Sequence, residues 1–205
     1  MAMFGVDVSH WNYDALKNDT GIWRYIKGSA DFVICKLTEG ASFVDGKALE
    51  MQEFFNTKNI GYYHYLRPET VGNSAKEAEH FVNQLALVGA IGKAVLAVDV
   101  EGGAFTYSTF DEYTRWFCDC VYNATKVRPL LYTSESMVPL FRCTCAGNYG
   151  LWVAKWGSEH APKTAPWGFY AIHQFDVCHN AGGRLDLDVF NGDETTWKKY
   201  AAQNE

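Results

Sequence analysis

KAVLAVDVEGG, residues 93–103, runs six apolar side chains (Ala94, Val95, Leu96, Ala97, Val98 and Val100) almost unbroken into two carboxylates, and Gly102 and Gly103 end it. A short apolar run closed by glycines reads as a strand buried on both faces. Such strands belong to parallel sheets covered by helices. Residues two apart on a strand share a face, so Asp99 and Glu101 point with Val95 and Ala97, about 7 Å apart along the chain. A core-facing row therefore ends in a pair of acids. Two unpaired carboxylates are costly to bury, so the pair is expected at an open mouth, either as a solvated strand end or as a site.

The rest of the chain supplies the sheet around this strand. Apolar runs at Phe4–Val8, Phe32–Leu37, Tyr62–Leu66, Leu130–Thr133, Leu151–Trp156, Tyr170–Phe175 and Leu185–Phe190 bring the strand-like total to eight. Helical spacing lies between the earlier ones, at Gly21–Ser29, Lys47–Asn59, Ser74–Val88 and Ser108–Thr125, with a short helix expected over Ser134–Phe141. In the second of these Leu49, Phe54 and Phe55 share a side, and Gly61 serves as the stop signal. In the third, Ser74 and Glu77 have capping-box spacing. Repeating βα units predict an α/β fold: one irregular (β/α) barrel of about eight mostly parallel strands, with helices missing around the last strands. No linker, repeat or low-complexity tract divides residues 1–205, which suits a single catalytic domain.

Composition narrows the function. A formal net charge of -6 with dispersed Lys and Arg excludes the basic footprint of a nucleic-acid binder. Seven Trp, twelve Tyr and thirteen Phe leave rings to spare for stacking on sugar faces as well as for the core. No apolar stretch approaches a membrane span, and the N-terminus MAMFGVDVSHW has no secretory signal pattern. The close cysteine pairs are C-x-C, which argues against zinc and for reduced, mostly buried thiols. Cys143 and Cys145 fall in an apparent loop and are the ones expected to be exposed and oxidisable. Neither metal nor organic cofactor is expected.

Several polar residues interrupt apolar strands. Asp7 sits between Val6 and Val8 and faces away from both, either capping the next turn or joining a site. Lys36 is a charge inside FVICKL. His64 shares a face with Tyr62, opposite Tyr63 and Tyr65, and is expected as a hydrogen-bonded core or rim histidine. Functional groups of such barrels gather at the C-terminal ends of the strands, where Asp7, Asp99, Glu101 and either Asp186 or Asp188 would meet. First and last strands become neighbours on closure, which joins Asp7 to Asp186. Clustered carboxyls cannot all ionise cheaply, so one is expected to keep its proton and serve as a general acid.

An acid with a second carboxylate is the machinery of glycoside hydrolysis. GVDVSHW at Gly5–Trp11, VDVEGG at Val98–Gly103, YYHYLRP, LWVAKW and LDLDVFNG occur in the order of their counterparts in glycoside hydrolase family 25, and the chain resembles the lysozymes (muramidases) of that family. The resemblance implies cleavage of the β-1,4 bond between N-acetylmuramic acid and N-acetylglucosamine in peptidoglycan, with retention. It makes Glu101 the general acid and Asp99 its stabilising partner, as nucleophile or as the group orienting the 2-acetamido group. Asp7 and Asp186 would support the pair, Asp186 matching better than Asp188. Tyr63, Tyr132, Trp152 and Gln174 would contact sugar. Lys155 and Trp156 depart from the commoner pairing, and His173 stands where the family more often has Trp.

Two rivals stand beside this reading. A family 18 chitinase would need acids at Ala94 and Ala97. A non-catalytic sugar-binding protein would have no use for four convergent carboxylates. The resemblance further implies a monomer that acts on bacterial glycan strands without membrane insertion. A phage endolysin, held in the host cytoplasm until released to the cell wall, fits it, with a truncated secreted enzyme as the alternative.

Overall fold

A computed structural model describes residues 1–13, 18, 21–141, 145–157, 160–178 and 185–202. Nine strands form one sheet: β1 (Met3–Val8), β2 (Phe32–Glu39), β3 (Phe43–Val44), β4 (Asn59–Tyr65), β5 (Val95–Asp99), β6 (Leu130–Ser134), β7 (Leu151–Ala154), β8 (Ile172–Cys178) and β9 (Leu185–Phe190). Eight of them close a barrel in the order β1-β2-β4-β5-β6-β7-β8-β9, and β3 folds back on β2 as a short hairpin. Neighbours from β1 through β8 are parallel, whereas β9 is antiparallel to both β8 and β1. The expected barrel, mostly parallel and irregular on one side, is present.

Alternation sorts each strand into two cores. Met3, Phe32, Ile34, Tyr63, Val95, Ala97, Trp152, Ile172 and Phe190 fill the lumen. Val6, Val8, Val33, Leu96, Val98 and Val100 point outward under the helices. Those helices are α1 (Gly21–Ser29), α2 (Ala48–Phe55), α3 (Pro68–Val71), α4 (Ser74–Leu87), α5 (Phe110–Thr125), α6 (Cys145–Asn148) and α7 (Glu194–Ala201). Beyond β6 the described connections hold only the short α6 and a 3-10 turn at Val138–Leu140, which replaces the helix expected over Ser134–Phe141. Pro139 has no N–H to continue a helical ladder there. The C-terminal α7 plugs the lumen from below: Trp197 and Ala201 join its core, and the Trp197 ring lies 4.6 Å from that of Phe32.

Several local expectations are corrected. The second helix spans only α2, because Asn56 takes a left-handed conformation (φ 51°) and ends it before Gly61, which lies inside β4. Its buried side is Ala48, Met51 and Phe55, while Leu49 faces solvent. In α4 the N-cap is Asn73, whose Oδ1 accepts the Lys76 N–H at 3.2 Å, and Ser74 is already helical. Glu77 does not turn back to cap. It points inward, fully buried, where Oε1 accepts from Tyr113 Oη (2.6 Å) and Oε2 from the Arg67 N–H (2.9 Å). Oε2 also pairs with His64 Nε2 at 2.9 Å, and His64 Nδ1 with Thr38 Oγ1 at 2.8 Å. His64, which also stacks on Phe117, is thus the core histidine expected. Burial holds its pKa below the usual value, so the neutral ring donates from Nε2 and accepts at Nδ1.

Among the described cysteines Cys35, Cys118, Cys120, Cys145 and Cys178 are free thiols. Cys145 was expected in an exposed loop, yet it opens α6 and is buried, 3.9 Å from Asp111 Oδ1. Cys143 lies outside the described residues.

Candidate active site

β5 delivers its acids as its alternation predicts. Val95, Ala97 and Asp99 face the lumen, and the backbone stays extended through Glu101 (φ -150°, ψ 178°), so Glu101 continues the row above Asp99. Gly102 then turns with φ +53°, where a Cβ would stand 3.1 Å from the Tyr65 hydroxyl. A side chain at Gly103 would meet Glu69 Oε1 at 2.8 Å. Both glycines let the chain leave the strand sharply without crowding the mouth.

Asp7, Tyr63, Asp99, Glu101, Tyr132, Trp152, Gln174 and Asp186, the eight expected site residues, line one cleft of about 310 Å³ together with Trp156. Asp186 arrives by a route the sequence did not disclose. It stands near the start of β9, not its C-terminal end, and reaches the mouth because β9 runs against the other strands, in register with Asp7. Asp188, two residues deeper, is fully buried and accepts Trp152 Nε1–H at 2.8 Å. Asp7 is no turn cap: its Oδ2 accepts Gln174 Nε2–H at 2.7 Å.

Gln174 is the hub of the cleft wall. Its Oε1 accepts from Tyr132 Oη (3.0 Å) and Trp156 Nε1 (2.9 Å), so one amide fixes Asp7, Tyr132 and Trp156 together. The Trp152 ring packs edge-on to Tyr132 at 4.8 Å and to Tyr63 at 6.3 Å. A register irregularity between Lys36 and Thr38 in β2 puts Thr38 against His64 and leaves the Lys36 ammonium over the Tyr65 ring at 4.8 Å, with Glu39 Oε2 at 2.5 Å.

Crowded, largely buried acids resist ionisation. Burial first, then the Glu101 charge, raises Asp99 well above the ordinary carboxylate value, while Lys36 pulls it down. Burial and Asp186 raise Glu101, again against Lys36. Asp7 and Asp188 are both raised, chiefly by burial, and lie close enough to share a proton. Burial and the surrounding carboxyls keep the Tyr63 and Tyr132 phenols protonated, as hydrogen-bond donors.

The sequence profile of glycosyl hydrolases family 25 matches residues 6–183. The chain belongs to this family. A curated relative, the autolytic lysozyme of Clostridium acetobutylicum, is 26% identical over 180 residues, covering 80% of this chain and 53% of that protein. The chain thus spans about half the length of that relative. The fold is shared with a family 25 lysozyme from Aspergillus fumigatus, at TM-score 0.78 and 22% identity over 98% of this chain and 100% of that one. A muramidase from Acremonium alcalophilum superposes with TM-score 0.76 at 21% identity, covering 97% and 98% of the two chains. The catalytic domain of a Listeria monocytogenes bacteriophage endolysin gives 0.67 at 20% identity over 98% of each.

Within this family 25 cleft, three residues escaped selection from sequence. Trp156 was noted only as a departure from the commoner pairing, yet it walls the cleft. Lys36 stood out as a charge inside an apolar run, which was the available signal for a cation acting on both Asp99 and Glu101. Asp188 was weighed against Asp186, and the two have separate places: Asp186 at the mouth, Asp188 beneath it. Lys155 and His173 face away from the cleft, Lys155 toward Glu135 at 3.1 Å and His173 toward the Lys155 carbonyl at 3.0 Å.

Proposed function

We propose that the chain is a lysozyme that hydrolyses the β-1,4 bond between N-acetylmuramic acid and N-acetylglucosamine in peptidoglycan, with retention at the anomeric carbon. The observation that carries this reading is the lumen-facing row in which Asp99 and Glu101, both resistant to ionisation, end at an open cleft walled by aromatic rings.

Glu101 is the general acid, and the more exposed member of the pair. It protonates the glycosidic oxygen as the bond to the leaving sugar breaks. Asp99 stabilises the positive charge that develops at the anomeric carbon. Burial raises Asp99, the deeper of the two, further above its ordinary value than Glu101. The buried Oδ1 of Asp99 has no hydrogen-bond partner among the described residues. A substrate amide N–H donating to that oxygen favours ionised Asp99 and leaves the proton to Glu101. Asp7, Asp186 and Gln174 hold the pair's surroundings, and Tyr63, Tyr132 and Trp152 meet the sugar rings.

The test is release of soluble fragments from purified peptidoglycan. The native chain is expected to release them, and Glu101→Gln to bind the same material without releasing any. Binding without release by both proteins would instead favour the non-catalytic sugar-binding reading.

A further inference from the structure

The barrel mouth carries a second feature that the cleft chemistry does not use. Trp11 is 82% exposed, and Phe43 and Val44 on β3 are 42% and 39% exposed. Large rings left in water on a folded surface mark contact sites when they are grouped and held. These are both. The His10 ring lies 4.6 Å from Trp11 and 5.5 Å from Phe43, so it bridges the two loops.

A buried carboxyl fixes the arrangement. Asp45, 2% exposed, accepts the His10 backbone N–H at 2.8 Å and sits 3.0 Å from His10 Nδ1, while its other oxygen accepts the Lys47 N–H at 3.0 Å. From the far side His80 Nε2 on α4 donates to the Phe43 carbonyl at 2.9 Å. The rings are therefore preorganised at the surface, which lowers the ordering cost of any ligand that stacks on them.

The platform is continuous with the cleft. His10 follows Asp7 by three residues, a reach of at most about 10 Å. Phe43 faces the Lys36 ammonium at 5.6 Å, and Lys36 acts on Asp99 and Glu101. At this rim Glu39 pairs with Lys36 at 2.5 Å and with Arg67 at 3.5 Å, and the platform itself presents ring faces. The neutral N-acetylglucosamine unit of a glycan strand suits the platform: its C–H face stacks on an indole while the hydroxyls stay hydrated at the ring edge.

We infer that Trp11, His10 and Phe43 form an additional carbohydrate subsite, which stacks a sugar of the same glycan strand outside the cleft at Asp99 and Glu101. The inference rests on the proposed glycan-cleaving reading. It makes the protein prefer long strands over short oligosaccharides, with the peptide stems playing no part at this platform.

The experiment uses peptidoglycan glycan strands stripped of peptide, in long and in tetrasaccharide fractions, with the native chain, Trp11→Ala, Phe43→Ala and Phe169→Ala. Phe169 is an exposed ring that precedes β8 at the opposite end of the barrel and serves as the control. Trp11→Ala is expected to lower kcat/KM on long strands about three- to tenfold, mainly through KM, with a smaller loss on the tetrasaccharide. Phe43→Ala should follow in the same direction, and Phe169→Ala should change neither. Equal losses on both lengths, or none on long strands, overturns the inference while leaving the cleft reading intact. So does a loss seen only when the peptides are present. No cleavage by the native chain at all overturns the cleft reading, and the subsite with it. Thermal midpoints of the variants separate a binding defect from unfolding.

Discussion

Glu77→Ala is expected to be among the most damaging single substitutions outside the cleft. The Glu77 carboxyl is fully buried and receives Tyr113 Oη–H, the Arg67 N–H and His64 Nε2–H, joining α4, α5, β4 and the chain after β4. Alanine leaves three donors facing a void. Each stranded buried donor costs about 1–3 kcal/mol, and because the three relax together the expected loss is about 3–5 kcal/mol rather than their sum. Glu77→Gln keeps the volume and an acceptor but turns an amide N–H₂ toward one donor, so about 2 kcal/mol is expected. Urea unfolding followed by tryptophan fluorescence measures both, with the slope against urea unchanged if only stability has moved. A Glu77→Ala loss below about 1 kcal/mol, or equal losses for Ala and Gln, would refute the network as a structural tie.

The cleft acids carry the opposite cost. Burial raises Asp99 in the folded chain, so the folded protein keeps a proton that the unfolded chain releases above its ordinary value of 3.8. The folded state then binds more protons, and Asp99 subtracts stability as pH rises from about 4 through its folded value. Asp99→Asn should raise the thermal midpoint at pH 7, with little gain at pH 4, while activity is lost. An equal gain at both pH values would contradict this origin. At the closed end of the barrel, Trp197→Ala removes the plug between Phe32 and Phe190 and should cost about 3–5 kcal/mol in chemical denaturation.

Much of the site was legible because alternation along a strand is a strict geometric rule. Asp99 and Glu101 faced the lumen with Val95 and Ala97 for that reason, and Tyr63 separated from His64 likewise. Strand direction has no such signature. LDLDVF alternates equally well either way, so the antiparallel β9 that carries Asp186 to the mouth could not be read. Spacing also underdetermines side-chain direction. Ser74 and Glu77 have capping-box spacing, but Glu77 turns inward because a buried histidine, a tyrosine and a backbone N–H need an acceptor there. Lys36 and Thr38 share a face only in an unbroken strand, and the irregularity between them in β2 was invisible in the sequence. The plug α7 was missed because its lumen partners Phe32 and Phe190 are remote in sequence or on another element.

The central claim is that Glu101 donates the proton that cleaves a muramyl bond. Mass spectrometry of the reducing ends from purified peptidoglycan digested with the native chain and with Glu101→Gln tests it most directly. The account predicts products ending in reducing N-acetylmuramic acid with the native chain and none with the variant. Ends in N-acetylglucosamine, or undiminished cleavage by Glu101→Gln, would contradict it.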